Sequence, residues 1–265
     1  MDYEVMMKPR GFTLIELLVV IAIIALLMSI LMPALNKAKQ LAKSAIGMSK
    51  LWEWGQVMHM YTEDNENLFM TDLGHGSTSL LGRPELKEYY QDDELLLCPM
   101  AVKTYEQGAR NPFAAWQDDD TDDPIGNPPC SYGINTWILS NASANYQTDD
   151  RMWKTPLVKG AYRIPMVQDC AGFQNASPWP HDEPPEYDGQ FISGTSENEM
   201  RYVCLNRHSE KINCVYMDYH VRSVDLKQLW TLKWNRKFDT AGPWTRAGGV
   251  QPEDWPEWMR HMKDY

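Results

Sequence analysis

From Leu17 to Met32 every residue except Ser29 is apolar, and no other feature constrains the chain as much. With Phe12 to Ile15 ahead of it and Pro33 to Leu35 behind, the stretch is long enough to cross a bilayer as a helix of about 20 residues. Glu16 breaks the pattern. An acidic side chain near mid-membrane costs on the order of 3 kcal/mol, less toward the end where this one lies, so Glu16 demands a positive partner. A cleaved secretory signal would need a shorter apolar region and a small-x-small cleavage site, which Met32-Pro33-Ala34 supplies poorly. A plain single-span anchor accounts for the run but not for the order of the residues before it.

Those residues, Lys8, Arg10, Gly11, Phe12, Thr13, Leu14, Ile15 and Glu16, resemble the N-terminus of type IV prepilins and of the pseudopilins of type II secretion. The resemblance implies cleavage between Gly11 and Phe12 by a prepilin peptidase and methylation of the new Phe12 amine. It implies that Glu16 meets the Phe12 amine of a neighbouring subunit. A buried pair of this kind adds little net stability but sets register, because a misplaced subunit leaves both charges alone. The implied fold is α+β, a long N-terminal helix packed on a small antiparallel sheet with long irregular loops. On that reading residues 1–11 are the leader, 12–35 the membrane half of the helix, 36–62 its amphipathic half, and 63–265 the globular domain. The implied role is structural rather than enzymatic. The implied partners are the peptidase, further copies of the chain, other pilin-like subunits and the inner membrane.

Beyond leader and helix about 200 of the 265 residues remain, enough for one domain with its own core. A net charge of −11 argues against nucleic acid, since phosphate binding needs concentrated Lys and Arg. Lys8 and Arg10 hold the short N-terminal side in the cytoplasm and send the globular part across the inner membrane to the periplasm; Lys37, Lys39 and Lys43 weaken that rule taken alone. There the five cysteines, Cys98, Cys130, Cys170, Cys204 and Cys214, meet an oxidising environment. The odd count leaves at least one free thiol, and one disulfide or none are both open. No Cys-x-x-Cys occurs, which argues against a zinc ribbon or a thioredoxin-type site.

Along the chain, Pro33 removes one intrahelical hydrogen bond and bends or loosens the helix. Leu41, Ala45, Met48, Trp52, Gly55 and His59 then recur at steps of three and four, which predicts an amphipathic helix ending at Tyr61 or Thr62, with Glu63 to Asn67 as its exit. Asp118, Asp119, Asp120, Asp122 and Asp123 crowd one loop between Pro112 and Pro124. Its functional reading is calcium binding; a solvated acidic loop is the plainer one, since the spaced order of an EF-hand is missing, and no cofactor is required. Tyr162 to Asp169 and Met200 to Leu205 read as strands, separated by a long loop from Ala171 to Ser196. Ile212 to Met217 and His220 to Val224 read as a hairpin with Asp218-Tyr219 at the turn. Leu226 to Trp234 reads as a short helix.

Leu51 to Phe69, Leu97-Cys98-Pro99 and Ser131 to Asn135, taken in order, resemble a group of pilin-like proteins of Planctomycetes, Verrucomicrobia and Lentisphaerae that carry a His-x9-Asp-Gly signature near the C-terminus. His208 and Asp218 fit that signature and His220 follows it, but Tyr219 stands where the group has Gly. A tyrosine held at positive φ costs about 1–2 kcal/mol. His208, Asp218 and His220 can be read as a metal or catalytic set or as structural hydrogen bonding in the hairpin; no nucleophile motif accompanies them. The eleven tryptophans, with Trp244, Trp255 and Trp258 in the tail, either cover a loop-rich core or display a surface for carbohydrate or protein.

Overall fold

One helix, α1, runs from Leu14 to Asp64 with Pro33 inside it. The computed structural model describes residues 14–71, 80–117, 128–141, 148–171, 175–190 and 198–265, and the chain divides into two units, Met1–Ala42 and Lys43–Tyr265. In the first unit α1 is the described structure and all its residues are exposed. In the second unit the end of α1 supplies buried Gly47, Leu51, Trp54, Gly55, Val57, Met58 and Thr62 to a core.

After α1 come α2 (Pro84–Lys87), a two-stranded parallel pair of β1 (Lys103–Thr104) with β2 (Ala114–Ala115), and β3 (Tyr132–Asn135). Then follow β4 (Pro165–Asp169), β5 (Asn175–Ala176), α3 (Met200–Val203), β6 (Lys211–Tyr216) and β7 (Val221–Asp225). Five strands form one sheet in the order β5-β3-β4-β6-β7. Its β3, β4, β6 and β7 are antiparallel neighbours, and only the short edge strand β5 pairs in parallel. The α+β architecture read from the sequence is the one observed.

Residues Ile212 to Tyr216 of β6 are all buried, so both faces of that strand are covered. Side chains alternate along a strand, and Asn213 and Val215 share the face that meets α1. A Cβ added at Gly55 would lie 3.2 Å from Val215, and one at Gly47 3.5 Å from the Asn213 amide. The two glycines let helix and strand approach this closely. Asn213 Nδ2 also donates to the carbonyl of Ser44 at 3.3 Å, and Tyr132 Oη to that of Gly47 at 3.3 Å. Trp54 Nε1, also buried, donates to the Leu95 carbonyl at 2.9 Å.

Several expectations need correction. The buried stripe of α1 is Gly47, Leu51, Trp54, Met58 and Thr62, joined by Gly55, whereas Leu41 and Trp52 of the expected stripe are exposed. Both sets obey a three-and-four spacing because this half of the helix is apolar over much of its circumference. The small residues, not the periodicity, select the face. The helix runs two residues past its expected end and exits through Glu66 and Asn67, both at positive φ (55° and 59°). Met200 to Leu205 is not a strand: Met200–Val203 is a single helical turn, started by the Met200 amide donating to Asp182 Oδ2 at 3.0 Å. That turn points Met200 and Val203, three apart, to one side. β4 begins at Pro165, three residues later than read, after a 3-10 turn over Ala161–Arg163. The hairpin is present, and Leu226–Thr231 is 3-10 helix. All five cysteines are buried, and none is joined in a disulfide.

The tail tryptophans pack inward. Trp230 meets Trp255 at 5.4 Å between ring centroids, and Trp244 meets Trp255 at 5.3 Å. Trp230 and Trp255 are buried, and the Lys227 ammonium lies over the Trp255 ring, 2.7 Å from Asp264.

Candidate functional site

The first candidate is the leading part of α1. At about 1.5 Å per residue, Leu14 to Leu35 spans about 33 Å, the hydrocarbon thickness of a bilayer. Ile15 is 76% exposed and Ile30 68%, and a surface this apolar requires lipid or other protein to cover it. Glu16 lies in the first turn, where the helix dipole favours an acid. Gly11 and Phe12 lie outside the described residues, as do Asp118, Asp119, Asp120, Asp122 and Asp123 of the acidic loop.

The second candidate is the signature set, which the structure divides. Asp218 and His220 sit at the β6–β7 turn, pairing with each other through His220 Nδ1 and Asp218 Oδ1, each side chain 38% exposed. The His220 ring stacks on Tyr216 at 4.5 Å. Tyr219 takes φ 68°, the left-handed conformation that a glycine would adopt freely. Its ring lies 4.9 Å from that of His59, and its Cβ faces Gly55 of α1. Packing of the turn against the helix thus offsets the backbone strain.

His208 lies elsewhere, in the interior. Ser209 and Glu210, at φ 55° and 64°, make a tight turn in which the His208 amide donates to the Lys211 carbonyl at 3.0 Å. Its Nε2 stands 3.0 Å from Asp169 Oδ2, with both side chains buried. Asp169 Oδ2 also accepts from the Asn213 amide at 2.8 Å, and Oδ1 from Arg207 Nη1 at 3.1 Å. Arg207, fully buried, donates further to the carbonyls of Pro112 (2.9 Å), Ser131 (2.6 Å) and Cys170 (3.0 Å). One guanidinium therefore ties the loop before β2, the start of β3 and the end of β4. Burial alone would push the Asp169 carboxyl up, but His208, Arg207 and the Asn213 amide outweigh it and hold it down at about 2.

Cys98 borders this network: its amide donates to Ser131 Oγ at 2.7 Å and its Sγ is 3.5 Å from His208 Nε2. The stretches Leu97-Cys98-Pro99 and Ser131 to Asn135, distant in sequence, thus meet around His208. Asn135 acts similarly, donating from Nδ2 to the carbonyls of Pro165 and Trp234 at 2.9 Å each. Sequence reasoning missed Asp169 and Arg207 as members of the site. The available signal was a basic residue directly before His208 and an acid closing the strand Pro165–Asp169.

A third feature is an open cleft of about 370 Å³ lined by Trp52, Gln56 and Met60 of α1 and by Tyr89, Tyr90 and Leu95.

Comparison with known proteins bears on the first candidate. The prokaryotic N-terminal methylation motif matches residues 6–32. The chain is 31% identical over 150 residues to the type II secretion system core protein G of Dickeya chrysanthemi, covering 92% of that protein and 52% of this chain. It is 32% identical over 114 residues to the core protein G of Escherichia coli strain K12, covering 70% of that protein and 42% of this chain. Over 62 residues it is 42% identical to a type IV wide pilus major component of Thermus thermophilus, covering 47% of that protein and 23% of this chain. No solved structure matches the chain.

Proposed function

The chain belongs to the family of the type II secretion system core protein G and is a structural subunit of a pilin-like filament; we propose that its N-terminus dictates how it joins that filament. A prepilin peptidase removes residues 1–11 by cutting between Gly11 and Phe12, and the new Phe12 amine is methylated. The apolar run holds the subunit in the inner membrane, with Lys8 and Arg10 keeping the leader cytoplasmic and the larger unit in the periplasm. During assembly the exposed face of α1 trades lipid for the helices of neighbouring subunits. The Glu16 carboxylate meets the Phe12 amine of the next subunit, which rejects wrong registers.

The observation that carries this reading is the methylation motif at residues 6–32, which lies on the leading, membrane-length part of α1, where every described residue is exposed. A surface-displayed carbohydrate binder built on Trp244 and Trp255 is not favoured, because Trp255 is buried and stacks with Trp244 and Trp230 in one cluster.

Intact mass and N-terminal sequencing of the chain from membranes, with and without the peptidase, tests the reading. A chain starting at methylated Phe12 only when the peptidase is present is expected; an uncut chain, or a cut near Ala34, overturns it. Glu16→Ala is expected to be cleaved normally and to lose at least about tenfold in filament incorporation, the loss of one buried charge contact. Incorporation at the unaltered level removes the role assigned to Glu16.

A further inference from the structure

Three donors of unlike chemistry converge inside the larger unit. Sγ of Cys98, Oδ2 of Asp169 and Nε2 of His208 are buried and lie within 4.8 Å of one another. They come from three separate segments: the loop after the Asp93–Leu96 turn, the end of β4, and the tight turn before β6. Nε2 stands 3.0 Å from the carboxylate oxygen and 3.5 Å from the sulfur. The other ring nitrogen, Nδ1, is buried and has no hydrogen-bond partner among the described residues. All the polar interaction of this ring is therefore concentrated on one atom that faces two other donors. Without a metal, the Nε2 proton and the Cys98 thiol proton both turn toward the Asp169 carboxylate, whereas one cation between the three would bind a lone pair from each.

We propose that Cys98, Asp169 and His208 form a binding site for a zinc-class divalent cation. Zinc bonds of about 2.3 Å to sulfur and about 2.0 Å to nitrogen, at a near-tetrahedral angle, separate those two donors by about 3.5 Å. That is the separation found here. The carboxylate oxygen has to withdraw from the ring by only a few tenths of an ångström, toward about 3.3 Å. Groups that would orient two of the three ligands are in place: Arg207 and the Asn213 amide hold Asp169, and Ser131 holds the Cys98 backbone. Outer contacts of this kind set the aim of metal ligands. On binding, the sulfur–hydrogen bond of Cys98 breaks, a sulfur–zinc bond forms, and the proton leaves to water. Thiolate and carboxylate then neutralise the cation, leaving the charge of Arg207, which three carbonyls already hold. The bound ion would pin the Cys98 loop to the sheet and to the turn before β6.

The test uses the full chain in detergent micelles, stripped with chelator and titrated with zinc against a chromophoric competitor, then with cobalt. One equivalent per chain is expected, with a thiolate-to-cobalt charge-transfer band. Cys98→Ala should abolish the band and weaken zinc binding by more than about 100-fold, while Cys214→Ala, which removes a buried thiol elsewhere, should leave both unchanged. Because binding releases the thiol proton, affinity should fall about tenfold for each pH unit that the pH is lowered. Absence of stoichiometric binding, or a band that survives Cys98→Ala, overturns the proposal. Because Cys98→Ala can itself disturb the core, zinc-edge X-ray absorption on the unaltered chain is the second measurement. One sulfur with imidazole in the zinc shell supports the site, and a shell of oxygen and nitrogen alone overturns it.

Discussion

The His208–Asp169 and His220–Asp218 pairs share their chemistry and differ in what surrounds it. The first is buried beside a buried arginine, with the carboxylate accepting from Arg207 and Asn213 as well as facing the imidazole. The second sits at a hairpin turn, each partner 38% exposed to water that already solvates both groups. Water supplies the exposed pair with a substitute for every contact it makes, and a deletion there costs little. The buried pair has no such substitute, and removing one member strands the rest. Only the first pair can therefore organise the fold, although the sequence signature draws His208 together with Asp218.

The largest break in this comparison should come from Asp169→Asn. It preserves shape but leaves Arg207 buried without an anion, which costs about 3–5 kcal/mol. Denaturant unfolding of the detergent-solubilised chain measures it, and a loss below about 1 kcal/mol would show that the three carbonyls suffice for the guanidinium. The same residue governs acid stability. Its carboxyl is held at about 2, below its ordinary value of 3.8, so its contribution is complete above about pH 4 and disappears as pH falls through about 2. Asp182 has the opposite sign: burial pushes its carboxyl up to about 6 against hydrogen bonds from the Trp179 and Met200 amides. Its folded form binds the proton first, so stability rises as pH falls from about 6 toward about 4. Unfolding across pH should therefore show stability rising on mild acidification and then falling, with Asp169→Asn removing the steep part of the fall.

Next in size is His208→Ala, expected to lose about 2–4 kcal/mol through the cavity and the lost contact to a charged carboxylate. At the turn, Tyr219→Ala should cost about 1 kcal/mol more than Tyr219→Gly. Both lose the ring that packs on His59, and only glycine is free of strain at φ 68°. Equal losses would mean that the backbone conformation adds nothing. The smallest effect belongs to Asp218→Asn, within about 0.5 kcal/mol; a cost as large as that of Asp169→Asn would erase the distinction between the pairs.

The sequence carried the membrane-length helix, the α+β class and the β6–β7 hairpin, because each rests on residues adjacent in the chain. The positive φ of Tyr219 was also legible as an expectation, because a tyrosine stands where the His-x9-Asp-Gly pattern has glycine. What stayed hidden depends on contacts distant along the chain. The buried face of α1 was chosen by Gly47 and Gly55 meeting β6, and two equally regular stripes could not be told apart without the sheet. Met200–Val203 became a helical turn because Asp182, eighteen positions earlier, accepts from its first amide. The ring of contacts on Arg207 joins residues 76 and 95 positions apart, a span over which local pattern says nothing.

The fastening of α1 to β6 and its neighbours also has a mechanical side. Ser44, Gly47 and Gly55 meet the sheet at successive turns of the helix, and Lys50 and Trp54 reach the Leu97 and Leu95 carbonyls. A pull parallel to the helix axis would load these contacts in shear, all at once. Peeling would break them one after another at far lower force. Contacts spread over several turns would thus share such a load rather than fail in sequence.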